Sequence, residues 1–186
     1  MNARRLPNAI SITRMALVVP VAWSIVHRED ETALTLIIIA GLSDALDGLL
    51  ATRFGWVTTL GAVLDPVADK VFLAGSFIAA VWVGLIPLWV TVIVIARDSI
   101  IVAGALVYRW RVGRFQPRPS VLSKVNTCLQ LVLVLAVVTR HYTGYVPKGM
   151  VMALVVAVAI TTLTSGMDYF IRWGRRLTHV PVRKPA

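Results

Sequence analysis

The sequence predicts an all-α integral membrane protein, with six transmembrane helices, a short interfacial segment at the N-terminus and both termini in the cytoplasm. Three observations predict it. The 186 residues are 58% hydrophobic with a mean hydropathy of +0.78, above the roughly 45–50% apolar usage of soluble domains. The apolar residues gather into six runs, each close to the roughly 20 residues that a helix needs to cross a bilayer. The formal charge of +10 lies mainly at the ends of those runs. No repeat, low-complexity tract or linker divides the chain, so residues 1–186 are expected to form one membrane domain.

The first run covers about 8–27 and opens "NAISITRMALVVPVAWSIVH". The preceding "MNARR" imitates a signal peptide, but Arg14 splits the apolar stretch and more spans follow, so an uncleaved helix is expected. The residues before Arg14 are expected to lie along the interface, with Arg4 and Arg5 at the headgroups. The second run, about 32–54, follows "HREDE"; the third, about 60–83, follows "RFGW". The fourth, about 87–109, follows "GLIP", and the fifth, about 120–140, follows "RWRVGRFQPRPS". The sixth, about 149–173, follows "RHYTGYVPKG" and precedes the tail "RWGRRLTHVPVRKPA". Glycine, proline and charge clusters of this kind punctuate helices.

Charge then sets the orientation. Arg4, Arg5, Arg53, Arg109, Arg111, Arg114, Arg118, Arg172, Arg175, Arg176, Arg183 and Lys184 fall on one side with no acid among them. The other side carries Arg28, Arg140 and Lys148 against Glu29, Asp30 and Glu31. The positive-inside bias puts the termini and the 2–3 and 4–5 connections in the cytoplasm. It also accounts for the basic balance without a nucleic-acid partner. The single cysteine, Cys128, sits in an apolar run. It makes no internal disulfide or multi-cysteine metal site, and is expected to be a packing residue.

Four aspartates break the pattern. Asp44 and Asp47 stand three apart at the end of run 2, and Asp65 and Asp69 four apart at the start of run 3. Both spacings place side chains on one helical face. The connection is short, so the two helices are expected to be antiparallel neighbours with converging carboxylates. An ionised aspartate at membrane depth costs about 2.5–3.5 kcal/mol on insertion scales, and four together also repel. Only Arg53 and Lys70 lie close in sequence, so a divalent cation is the expected counter-charge. Oxygen donors without histidine or cysteine favour Mg²⁺, with Mn²⁺ or Ca²⁺ as alternatives, and Mg²⁺ commonly shares its ligands with substrate phosphates. Gly48 and Gly61 allow a ligand, or another helix, to come close. An EF-hand requires acids at alternate positions, which this stretch lacks. An ion relay through a transporter, or a non-enzymatic membrane protein, remains the reading of another class; transporters commonly show internal repeats, and none is visible.

The stretch Asp44-x₂-Asp47-Gly48-x₂-Ala51 continuing to Gly61-x₃-Asp65-x₃-Asp69 resembles the signature of the CDP-alcohol phosphatidyltransferases. "LPNAISITR" and "LDPVADK" resemble the wording around the family's entry helix and its last two aspartates. The family pattern has arginine after the alanine; here Thr52 stands there and Arg53 follows. A one-residue shift rotates a helical side chain by about 100°, which puts the role of position 52 in doubt. The resemblance implies a metal held by Asp44, Asp47 and Asp65, with Asp69 as a further ligand and general base. It implies that CDP-diacylglycerol binds over Gly48, Ala51, Thr52, Arg53 and Gly61, that an acceptor alcohol attacks the phosphorus bearing diacylglycerol, and that CMP leaves. It also implies a homodimer and, with the charge bias, a bacterial inner membrane with the site facing the cytoplasm.

Arg97 and Lys124 lie inside runs 4 and 5, where basic residues commonly mark a substrate path. They are expected to bind the acceptor's phosphate, joined by Arg114 and Arg118 of the 4–5 connection. Arg97 and Asp98 are not expected to pair, because adjacent helical residues point apart. Asp168 is given no role. "IARDS" and "SKVNT" look more like the cardiolipin synthases of this family than its phosphatidylglycerophosphate synthases. Phosphatidylglycerol is therefore the expected acceptor, with glycerol 3-phosphate as the alternative.

Overall fold

A computed structural model describes the backbone of residues 6–54, 61–112 and 120–177, and the side chains of residues 11–43, 67–104 and 120–169. The described residues form six helices: α1 (Leu6–Val26), α2 (Asp30–Phe54), α3 (Gly61–Trp82), α4 (Leu88–Val112), α5 (Val121–Thr143) and α6 (Lys148–Leu177). Each matches one of the apolar runs. The interfacial segment expected before Arg14 is not a separate element, because Leu6 to Val26 is one helix. The reason is local: Pro7 sits in the first turn, where its missing N–H is not needed.

The helix ends follow from side-chain chemistry. Asp30 and Glu31 occupy the first turn of α2, where carboxylates favour the positive end of the helix dipole. The Ser120 hydroxyl caps α5 by accepting from the Ser123 N–H at 3.2 Å. At the other end Gly144 takes φ 72° and donates its N–H to the Arg140 carbonyl, a left-handed stop that favours glycine. Gly84, at φ 75°, closes the turn after α3. Arg28 ties two turns together by donating to the Val83 carbonyl at 2.9 Å.

The helices form a ring in the order α1, α3, α4, α6, α5, α2, with α5 also touching α3 across the middle. The expectation that α2 and α3 are direct neighbours is therefore corrected for the described residues: α1 lies between them, packing on both. A short connection limits the distance between helix ends but leaves room for a third helix to intervene. The α1–α3 contact is the most extensive in the bundle among the described residues. A methyl group built on Gly75 would come within 2.4 Å of Val18 Cγ1, so only glycine fits without displacement. Gly75→Val is expected to lower stability by about 1–3 kcal/mol through overpacking, measured by thermal unfolding in detergent; an unchanged midpoint would show that α1 adapts freely.

The side chains are distributed inside out relative to a water-soluble bundle. Val19, Ile38, Ile78, Trp82, Val92, Ile100, Ile160 and Leu163 face outward, while Arg14, Arg97, Asp98, Asn126 and Gln130 are buried. Polar side chains of membrane helices characteristically turn inward in this way. By length and composition, two helical stretches among the described residues can cross a membrane: Val121–Thr143 and Lys148–Tyr169. Ser11–Val26 is a shorter apolar stretch.

The interior has two zones. Ile25, Ile37, Phe77, Val94, Leu133, Val138 and Val158 belong to one apolar core, filling the half nearest the α1–α2, α3–α4 and α5–α6 turns. The other half is polar and charged.

Candidate active site

In the polar half, described side chains of α1, α3, α4, α5 and α6 make three neighbouring groups of polar contacts. On α3, the Asp69 carboxylate accepts from the Arg14 guanidinium of α1. Arg14 is 4% exposed and Asp69 31% exposed, so the carboxylate stays reachable while its partner is fixed. The next residue, Lys70, reaches Asp98 of α4 at 2.8 Å and donates to the Thr127 hydroxyl of α5 at 3.1 Å. Adjacent residues on α3 thus face different neighbours, as the helical rotation of about 100° requires. Asp98 also pairs with Arg97 at 2.6 Å, and Arg97 donates to the Ser123 hydroxyl of α5 at 2.9 Å. Asn126 takes hydrogen bonds from Thr161 and Thr162 of α6 at 2.8 and 2.9 Å.

One expectation is corrected here. Arg97 and Asp98 do pair, because the long guanidinium arm folds back over one peptide unit. Lys124 does not join this network: it is exposed on α5, about 100° around the helix from Ser123. Ser123 and Thr127 are the α5 residues that meet Arg97 and Lys70.

Cations and carboxylates alternate among the described residues here: Arg14, Lys70 and Arg97 meet Asp69 and Asp98. Two nitrogens buried nearby, Arg97 Nε and Asn126 Nδ2, have no hydrogen-bond partner among the described residues. A buried donor without a partner costs about 1–3 kcal/mol, so the arrangement gains when water or a ligand oxygen arrives.

Asp44 and Asp47 lie on the α2 backbone, Asp65 and Gly61 on that of α3, but their side chains fall outside the described residues. The same holds for Gly48, Ala51, Thr52 and Arg53. Helix α2 ends at Phe54, which places Thr52 and Arg53 in its last turn. Arg114 and Arg118 lie outside the described residues altogether. Among the described residues, no group of three or more histidine, cysteine, aspartate or glutamate side chains comes together. The donor chemistry of Asp44, Asp47, Asp65 and Asp69 nonetheless fits a hard divalent cation, being all carboxylate oxygen.

Sequence reasoning missed Arg14 as a partner of Asp69. A lone arginine inside an apolar run was the available signal, since such a cation needs a counter-charge at depth. It also passed over Ser123, Thr127, Asn126 and Gln130, polar residues three and four apart on α5 that share one side of the helix.

Comparison with known proteins bears on the same residues. A model of the CDP-alcohol phosphatidyltransferase family matches residues 4–163. The cardiolipin synthase (CMP-forming) of Rattus norvegicus is 31% identical over an alignment covering 96% of this chain and 64% of the rat protein. The chain thus spans a little under two thirds of that relative. The CDP-diacylglycerol–glycerol-3-phosphate 3-phosphatidyltransferase of Bacillus subtilis is 30% identical, over 89% of this chain and 93% of its own length. A chloroplastic protein of the same activity from Oryza sativa is 33% identical over 90% of this chain and 56% of its own.

Proposed function

Because this chain belongs to the CDP-alcohol phosphatidyltransferase family, we propose that it transfers the phosphatidyl group of CDP-diacylglycerol to phosphatidylglycerol, releasing CMP and forming cardiolipin. The observation that carries this reading is the partly exposed Asp69 carboxylate held against Arg14, one residue from the Lys70–Asp98–Arg97 network.

Each residue has a task in the transfer. Asp69 accepts the proton of the acceptor hydroxyl, whose oxygen then bonds to the phosphorus bearing diacylglycerol as the bond from that phosphorus to CMP breaks. A positioned carboxylate acting as general base contributes about 10²–10⁴-fold. Arg14 fixes the orientation of that carboxylate. Arg97, braced by Asp98 and Ser123, receives the acceptor's phosphate. Asp44, Asp47 and Asp65 would hold Mg²⁺ or Mn²⁺, which supplies charge neutralisation at the diphosphate. The bundle crosses the bilayer six times with the Asp69 end in the cytoplasm; the outward-facing apolar side chains and the one-sided arginines support this.

Arg97→Lys keeps the charge but loses the planar fork that spans Asp98 and Ser123. It is expected to raise the acceptor KM roughly ten- to hundredfold, the worth of a charge-assisted hydrogen bond, with CDP-diacylglycerol KM little changed. Steady-state kinetics with each substrate varied in turn checks the split, and equal rises in both would deny Arg97 a role at the acceptor.

The decisive assay offers purified protein CDP-diacylglycerol with phosphatidylglycerol and glycerol 3-phosphate in competition, and identifies the lipid product by mass spectrometry. Cardiolipin is the expected product. Phosphatidylglycerophosphate would transfer the reading to the glycerol 3-phosphate acceptor, which the near end-to-end likeness to the Bacillus subtilis enzyme favours. Absence of CMP release with every acceptor would overturn the enzymatic reading for this chain.

A further inference from the structure

A second candidate site lies at the end of the bundle remote from Asp69. A cavity of about 720 Å³ opens between the α3–α4 turn, the last turn of α5 and the first turns of α6. Some 15 residues along α3 separate it from Asp69, about 20 Å at helical rise. It shares no residue with the active site described above.

The lining has two chemistries. Arg140, His141 and Lys148 supply polar groups, and no carboxylate lines the cavity. Leu85, Val137, Val151, Met152 and Val155 supply an apolar shelf. The three polar groups are not equivalent. His141 Nδ1 faces Asp30, so any charge on it is already matched. Arg140 donates to the Val146 carbonyl at 2.6 Å, which anchors it at the α5–α6 turn. Lys148 is exposed and makes no ion pair among the described residues. Glu31, next to Asp30, accepts from the Tyr142 hydroxyl. Lys148 also begins α6; the N–H groups of Met150 and Val151 donate to the Pro147 carbonyl, which leaves those of Lys148 and Gly149 as the ones without an intrahelical partner. At the next residue, Gly149, nothing lies within 4 Å of the space that a methyl group would fill. The backbone can therefore be approached closely there.

Two cations and free N–H groups at a helix start suit a phosphate. An apolar shelf running along α5 and α6, both long enough to cross a membrane, suits acyl chains beneath it. We propose that this cavity binds an anionic glycerophospholipid of the leaflet opposite the active site, its phosphate at Lys148 and Arg140 and its chains along Val151, Met152 and Val155. The inference rests on the reading that the bundle crosses a bilayer.

The test uses the full chain purified in detergent and titrated with dioleoyl phosphatidic acid, which lacks the headgroup alcohol of an acceptor. Native mass spectrometry counts the lipids bound. Lys148→Glu is expected to weaken one binding event about tenfold, as charge reversal beside a phosphate should. Phosphatidylcholine binding and CMP release without added phosphatidic acid should not change. Met152→Trp, which narrows the shelf without altering charge, should weaken the same event. Unchanged phosphatidic acid binding in both variants would overturn the proposal while leaving the bilayer reading intact. Protein that stays in the aqueous fraction without detergent would overturn both. A loss of CMP release in the variants, without loss of lipid binding, would also count against a separate site.

Discussion

Asp69→Asn is expected to lower the rate of CMP release by at least about a hundredfold, the smaller end of what a positioned general base contributes. The substitution keeps the size of the side chain and its carbonyl oxygen, so the Arg14 guanidinium still has an acceptor. It removes the capacity to take a proton. The loss should therefore fall on turnover, with CDP-diacylglycerol KM within a few-fold of the wild type. Asp69→Glu keeps the carboxylate but moves it by about one bond length, and should recover part of the rate. If the asparagine variant instead loses liponucleotide affinity in proportion to rate, Asp69 acts by holding metal or substrate and not by moving the proton. The control is Arg14→Lys, which retains a cation against Asp69 and should reduce turnover less than loss of the carboxylate itself.

The second large effect is expected at Asp98. This carboxylate is buried between two cations, Lys70 at 2.8 Å and Arg97 at 2.6 Å. Removing one member of a buried ion network leaves the others without counter-charge, and costs about 3–5 kcal/mol. Asp98→Ala strands two cations and should approach or exceed the upper value, seen as a large drop in the unfolding midpoint in detergent. Asp98→Asn preserves shape and hydrogen-bond acceptance but not charge, so it should fall between alanine and wild type. A double variant, Lys70→Met with Asp98→Leu, removes one of the two stranded cations and should recover only part of the stability lost in Asp98→Ala, and no activity, because Arg97 stays buried without its brace. Wild-type stability in Asp98→Ala would mean that water already satisfies Lys70 and Arg97.

The helices were legible because a bilayer-length apolar run between glycine, proline and charge clusters has few other solutions. The aspartate spacing is a statement about one helix face, but the side chains of Asp44, Asp47 and Asp65 lie outside the described residues. What joins two helices was much less legible. Arg14 meets Asp69 across 55 positions of sequence, and only the insertion of α1 between α2 and α3 brings them together. The Arg97–Asp98 pair defeated a rule about Cβ directions because arginine is long enough to turn back. Lys124 illustrates how one position along a helix separates the Ser123 hydroxyl, which meets Arg97, from an exposed ammonium. Sequence hydropathy does not fix that rotation; packing against α6, α2 and α3 does.

The apolar core that fills the far half of the bundle has an electrical consequence. Charged side chains gathered in one half of a membrane-spanning bundle leave the apolar half as the insulating layer, and most of any transmembrane voltage then falls across it. A unit charge crossing 100 mV gains or loses about 2.3 kcal/mol, a standing incentive for protons or small ions to leak. Phe77, Ile37, Leu133 and Val94, none more than 1% exposed, form the apolar layer at that level. On the proposed reading, in which the bundle spans a bilayer and Asp69 takes the acceptor's proton, this layer favours proton exchange with one compartment.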